Sequence, residues 1–419
     1  MIRSRRHAAI AALALCTACT PVARTPEWSS VHELTPAFLQ SAAVSDPGLA
    51  AGPDGRIALT WVSNAGADAW IAVSADSGGH FAPPVRLNER PGSVDSYSES
   101  RPVAAFGPEG RLVVAWTAAR EGDDGGTGGA DDIVARASAD DGRTFGATAI
   151  LNRDHADPDS RYHGFVALDV DAAGHAVVAW IDGRAARLAA GEDEPARSEV
   201  WCAASDDGGR NWRPDVRVAG DACSCCRVAV RANAGGTVAV AYRGARDDLR
   251  DPRLALSRDG GARFALDTLV SADRWKLPGC PSVGPALTLD PAGGGEYAWF
   301  TGAGPTPGVW IVPWRADGGA AGMKRALDDS LRDVTRPMLS PMGSATLAGV
   351  LARPRRAGPR KVLAVRVLDA DGSATPWLFL GSAVRSAAIA GAGPGTAYVA
   401  WLEERAEGPR LRVARIARR

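Results

Sequence analysis

The chain has 419 residues, with 48 Lys+Arg against 48 Asp+Glu and a pI near 7.0. That balance excludes an electrostatic draw to nucleic acid or to an anionic surface, and leaves a sugar, a peptide or a small molecule as the expected partner. With 48 Gly, 28 Pro and 46% hydrophobic residues in many short runs, the composition fits an all-β chain with frequent turns better than a helical one.

The N-terminal stretch "MIRSRRHAAIAALALCTACTP" sets a basic start (Arg3, Arg5, Arg6) before a short apolar segment and small residues leading to Cys19. It reads as a secretion signal, too short to span a bilayer. Thr17, Ala18 and Cys19 resemble a bacterial lipobox, which implies lipidation of Cys19; Cys16 departs from the usual Leu. Residues 1–19 are therefore expected to be a signal peptide, 20–32 a tether and 33–419 one domain.

That domain repeats one sentence: a strand, a Gly turn, a strand ending in an aromatic residue, a variable loop, and a third strand running into a polar turn. The strand-ending positions are Trp61, Trp116, Trp180, Tyr242, Trp299, Leu351 and Trp401, spaced 50 to 64 residues apart. This is the period of a four-stranded propeller blade. The polar turn follows Ser-x-Asp-x-Gly-x-x-aromatic in "SADSGGHF" (74–81), "SADDGRTF" (138–145), "SDDGGRNW" (205–212) and "SRDGGARF" (257–264), and is degraded in "RADGGAAG" (315–322) and "DADGSATP" (369–376). Asp76, Asp140, Asp207 and Asp259 are read as structural, accepting backbone N–H bonds while glycine takes the left-handed position. Seven units are counted, or six if a degraded unit is merged. The last unit, 387–419, stops before its turn, so an N-terminal strand should complete it; residues 34–43, "LTPAFLQSAA", are assigned that place.

The polar turn joins strands three and four at one face, so the loops between strands two and three and the links between blades fall on the other. Function is expected there. The links carry Tyr97, Glu99 and Arg101; Asp157, Tyr162 and His163; Cys223, Cys225, Cys226 and Arg227; Trp275 and Cys280; and Arg336. Arginines converging from different blades suit a carboxylate, which a guanidinium fork grips bidentately. "WIDGR" (180–184) adds Asp182 and Arg184, as a salt bridge or a substrate contact. Cys202, Cys223, Cys225, Cys226 and Cys280 predict disulfides in an oxidising compartment, with Cys202 and Cys280 as partners for the cluster and one thiol left over. A thiolate-bound metal, copper or zinc, aided by His163, is the alternative. The loop "EGDDGGTGGADD" (121–132) reads as solvated, or as a calcium site.

The polar turns resemble the Asp box (BNR repeat) of sialidases and other bacterial propellers, and "CSCC" with "GCP" resembles a subgroup of sialidase-like bacterial lipoproteins. The resemblance implies an arginine triad for the substrate carboxylate, here Arg101 in "SRP" and Arg336 in "TRP", with Arg227, Trp275, Asp182 and Arg184 as further contacts. It also implies a tyrosine nucleophile assisted by a glutamate and an aspartate acid/base, met here by Tyr97 or Tyr162, Glu99 and Asp157, with no cofactor required. The family's Arg-Ile-Pro motif lacks its middle residue in this chain. The expectation is a monomeric protein of the periplasm or cell envelope, tied to membrane only through an N-terminal lipid, that acts as an exo-glycosidase on sialic acid or a related acidic sugar. Its rival is a non-catalytic propeller that binds glycan, protein or metal through the face around Cys223–Cys226, Trp275 and Cys280.

Overall fold

The computed structural model describes residues 27–39, 44–63, 67–96, 99–120, 130–157, 162–185, 198–305, 307–327, 330–355 and 359–418. Among the described residues, twenty-eight strands form seven antiparallel four-stranded sheets, each a blade of one ring. The innermost strands, in chain order, are Val44–Ala51, Val103–Phe106, His163–Val170, Ala229–Ala232, Ala286–Leu287, Leu331–Met342 and Val384–Gly391. Each neighbours the next, and the first returns to the last. The count is seven, and the six-blade alternative falls.

The second strand of each blade reads as an almost unbroken apolar run, as in "LVVAWTAA" (Leu112–Ala119), because it is covered on both faces by adjoining blades. Trp61, Trp116, Trp180, Tyr242, Trp299, Leu351 and Trp401 all lie on these strands and are buried. The core is thus divided among blade interfaces. One cluster joins Leu59, Trp61 and Ala72 of the first blade to Ala400, Leu402, Leu411 and Val413 of the last.

The ring closes through Trp28–Glu33, which pairs antiparallel with Arg410–Arg418 as the outer strand of blade seven. Residues 34–43 were expected there, and 20–32 as a tether; the closing strand instead takes up the end of that tether. In the described part of 34–43, Ala37–Leu39 is a 3₁₀ turn that buries Leu39 and stacks Phe38 on Trp61 at 5.7 Å. These apolar residues plug a blade interface, whereas the outer strand is largely exposed and needs no apolar pattern.

The four polar turns share one geometry. In blade three the buried Ser205 hydroxyl accepts the N–H of Asp207 (3.3 Å) and Gly209 (2.9 Å) and donates to Asp207 Oδ1 (2.9 Å), which also accepts Asn211 N–H at 2.9 Å. Gly208 and Gly209 have φ of 75° and 82°, the region other residues avoid. Ser74–Asp76, Ser138–Asp140 and Ser257–Asp259 repeat the pattern.

Candidate functional site: the link face

Three groups of side chains occupy the face opposite the polar turns. The first lies on the axis, where a cavity of about 430 Å3 is lined by the inner strands of all seven blades. At its link-side mouth Arg101 (blade two), Arg227 (blade four) and Arg336 (blade six) surround a recess of about 10 Å3 shared with Glu99. Glu99 is buried; its Oε2 lies 2.8 Å from Arg227 Nε and its Oε1 3.4 Å from Arg336 Nε. Arg101 Nη1 donates to the carbonyls of Pro47 (3.0 Å) and Ala387 (2.7 Å), tying blade two to blades one and seven. Arg336 has φ of 54° and sits in an irregular stretch of its ladder, where a bulge turns the side chain toward the axis. Burial, then the charges of Arg336 and Arg353, push the nearby Lys361 ammonium below its ordinary range.

The second group is in blade three. His163 is fully buried; its Nδ1 lies 2.9 Å from the Asp131 carbonyl, and its Nε2 lies 3.2 Å from Asp154 Oδ1 and 3.3 Å from Asp182 Oδ2. Burial alone would lower the imidazole pKa, but the two carboxylates outweigh it and raise it to about 9. Asp182 also accepts from Arg184 and from Trp180 Nε1 at 2.9 Å. Arg184 reaches Asp215 at 2.8 Å and lies 3.7 Å over the Trp201 ring. The Asp154–His163–Asp182 arrangement is compact enough for a metal, but Arg184 already supplies the cation and a protonated imidazole offers no lone pair. Asp182 and Arg184 are therefore partners in an ion network. Asp154 and Asp215 completed it unseen in the sequence, because no spacing links them to "WIDGR".

The third group is sulfur. Cys225 is bridged to Cys280 with Cα atoms 6.1 Å apart, while Cys202, Cys223 and Cys226 are buried thiols. Cys280 is a partner as expected and Cys202 is not: it lies in the strand Ser198–Ser205, its Sγ 3.9 Å from the Gly261 carbonyl, and burial pushes its thiol well up. One bridge and three thiols replace the expected two bridges and one thiol. Trp275 belongs beside this group, packed edge-on against Phe300 at 5.5 Å with the Arg243 guanidinium 5.2 Å from its ring.

Of the remaining candidates, Tyr162 donates its hydroxyl to the Ser224 carbonyl at 3.4 Å and packs, as Cys225 does, against the core shared by blades three and four. Asp157, half-buried, offers its carbonyl to Arg120 at 3.3 Å. Tyr97 and Cys19 lie outside the described residues, as do 121–129 of the aspartate loop; Asp132, which is described, is held by Arg120, Asn152 and His155.

No protein-family model matches the chain, and no curated protein matches it in sequence. Among solved structures it is similar to a protein of unknown function from Dyadobacter fermentans, with 12% identity and a TM-score of 0.50 over 78% of this chain and 97% of that one. It is also similar to an ulvan lyase solved with a GlcA–Rha3S ligand, with 13% identity and a TM-score of 0.53 over 89% and 94% of the two chains. A Hadza microbial sialidase overlaps less, with a TM-score of 0.48 and 13% identity over 90% of this chain and 66% of that one. At these identities the likeness shows the fold, a seven-bladed β-propeller, and the chemistry has to be argued from the side chains of this chain.

Proposed function

We propose that this protein is an exported, glycosidase-like propeller that engages a carboxylate-bearing sugar, sialic acid or a related acidic sugar, at its axial mouth. The observation that carries the reading is the convergence of Arg101, Arg227 and Arg336 from three blades on one recess. Three guanidiniums against the single Glu99 carboxylate leave an excess of positive charge among these four residues, and guanidinium binds carboxylate in a fixed fork. The recess has room for no more than about one water, so a ligand carboxylate enters by taking the place of Glu99. Glu99 is then released beside the bound sugar, where the sialidase scheme uses a glutamate to assist a tyrosine, here Tyr97 or Tyr162, with Asp157 as acid/base. Export with a lipid at Cys19 is part of the same proposal, and an intact-mass measurement of the processed N-terminus checks it.

A second reading, a binding propeller without turnover, is favoured by Glu99 itself, which is engaged by Arg227 and Arg336. One experiment separates the two: fluorophore release from a sialoside and a glucuronide at mildly acid pH, beside calorimetric titration with the free acidic sugars, on wild type, Arg101→Ala and Glu99→Gln. Turnover abolished by Arg101→Ala supports the enzyme. Binding without turnover, strengthened in Glu99→Gln because the internal competitor has lost its charge, supports the second reading. Neither binding nor turnover in folded wild type removes the acidic sugar from this mouth.

A further inference from the structure

We propose that Cys223, Cys225, Cys226 and Cys280 form a thiol–disulfide exchange site in which one bridge moves between two pairings, so that the protein presents Cys225 and Cys280 as a dithiol to a small disulfide substrate. Three observations converge. Cys223 Sγ lies 3.6 Å from Cys225 Sγ, one of the bridged sulfurs. Cys226 Sγ lies 3.2 Å from Cys223 Sγ, and the two stand at the Cys-x-x-Cys spacing. Beside them Arg243 is buried, and its bonds run to the carbonyls of Val283, Arg250 and Phe300 with no carboxylate partner among the described residues. A buried cation of this kind needs an anion nearby, and the Cys223 thiolate supplies one. Its thiol is lowered to about 6, by the hydrogen bond shared with Cys226 first, against burial, and then by the Cys225 N–H and the charges of Arg243 and Arg250. Burial holds the Cys226 thiol up, so that it keeps its proton while Cys223 is ionised.

The chemistry balances without an added oxidant or reductant. The Cys223 thiolate attacks Cys225 Sγ; the Cys223–Cys225 bond forms, the Cys225–Cys280 bond breaks, and the electron pair leaves on Cys280, which is exposed. Cys226, giving up its proton, then attacks Cys223; a Cys223–Cys226 bridge forms and Cys225 leaves as thiolate, taking the proton. The net change moves one disulfide inward and frees Cys225 and Cys280 as a dithiol that joins the links 220–227 and 271–285 in one state and not in the other. In the inward state Cys280 attacks an external disulfide, forming a mixed disulfide that Cys225 resolves: the substrate is reduced to two thiols by the two electrons of the Cys225/Cys280 dithiol, and Cys225–Cys280 re-forms beside Cys223–Cys226, leaving the protein with two bridges. Arg227, a wall of the axial mouth, follows Cys226 directly, so the site adjoins the sugar site but does not depend on it.

The test is native alkylation of the purified full-length protein with iodoacetamide, followed by disulfide mapping by mass spectrometry, for wild type and Cys223→Ser. The expected result is a Cys223–Cys226 bridge together with labelled Cys280 in wild type, and labelling at Cys280 at least ~10-fold slower in Cys223→Ser, whose attacking thiolate is gone. Labelling of Cys280 in both proteins after dithiothreitol shows that it is reachable. Only Cys225–Cys280 in wild type, with Cys280 as unreactive as in the variant, overturns the proposal, as does a metal ion that co-purifies with four thiolates. If Cys223→Ser does not fold, Cys226→Ser takes its place, and there the Cys223–Cys226 bridge is absent by construction while wild type still decides.

Discussion

The two faces of the ring differ in kind. On the turn face, four blades spend the same serine, aspartate and second-position glycine on the same hydrogen bonds, and the left-handed residue before that glycine varies among Ser77, Asp141, Gly208 and Gly260 without changing them. On the link face the blades diverge: Trp180–Asp182–Arg184 of blade three is echoed by Trp401–Glu403–Arg405 of blade seven, but among the described residues an arginine–glutamate mouth, a buried histidine among carboxylates and a four-cysteine group each occur once. Repetition marks what every blade needs to fold. The unrepeated residues carry desolvated charge that folding alone does not call for, and buried charge is costly unless paired.

The widest separation should come from single truncations on the two faces. Asp182→Ala removes the fully buried carboxylate shared by His163 and Arg184, leaving His163 only Asp154 and Arg184 only Asp154 and Asp215 as carboxylate neighbours, so we expect a loss of ~3–5 kcal/mol in denaturant unfolding. Ser205→Ala, at a fully buried hydroxyl on the turn face, leaves two N–H groups without an acceptor and should cost ~1–3 kcal/mol. Equal costs would erase the contrast. Opposing values, with Ser205→Ala the larger, would mean that the turns carry the fold and that the ion network is dispensable.

Acid and base should then undo the faces separately. In blade two Thr144, through its hydroxyl and then its N–H, and Ser138 hold the Asp140 carboxyl down to about 2. A depressed folded value gives stability that is present above the ordinary carboxylate range near 4 and lost as pH falls toward 2. His163 runs the other way: raised to about 9, it contributes stability that is whole below about 6.5 and disappears as pH rises through 9. Melting temperature measured against pH should therefore decline on an acid limb that Ser138→Ala weakens and on an alkaline limb that His163→Gln removes. A single mutation flattening both limbs would show that the two faces are coupled.

The same division explains what could be read from the sequence. The blade count followed from Trp61, Trp116 and their successors, because a residue buried between blades leaves an apolar signature at every repeat. The closing strand Trp28–Glu33 did not, since an outer strand exposes most of its side chains and "WSSVHE" has no buried face to display, while the more apolar "LTPAFL" was drawn into an interface. Arg101, Arg227, Arg336 and Glu99 were legible as link residues, and their meeting at the axis is a product of ring closure. The cysteine pairing was legible in half: Cys280, a partner expected for the cluster, is bridged to Cys225, but Cys202 sits one strand away in sequence and faces the interface with blade four, which spacing cannot reveal.

The smallest effect belongs to the degraded turn of blade six, and it tests whether the serine–aspartate device is required or only convenient. There the chain closes through its backbone: Asp369 N–H donates to the Ser373 carbonyl at 2.9 Å and Gly372 N–H to the Asp369 carbonyl at 3.0 Å, with Gly372 at φ of 86°. Arg418 of the neighbouring blade clasps the Asp369 carboxylate at 2.8 and 2.9 Å. Ser373 is exposed and its hydroxyl reaches Asp369 only at 3.4 Å, so Ser373→Ala should fall within ~0.5 kcal/mol of wild type. The polar burden has shifted to Thr375, fully buried, whose hydroxyl accepts Val367 N–H at 3.0 Å; Thr375→Ala should cost ~1–3 kcal/mol, as Ser205→Ala does in blade three. Matching costs at Ser205 and Thr375 would mean that selection acts on satisfying one buried N–H per turn, and that the residues doing so are free to change wherever a neighbouring blade supplies the rest.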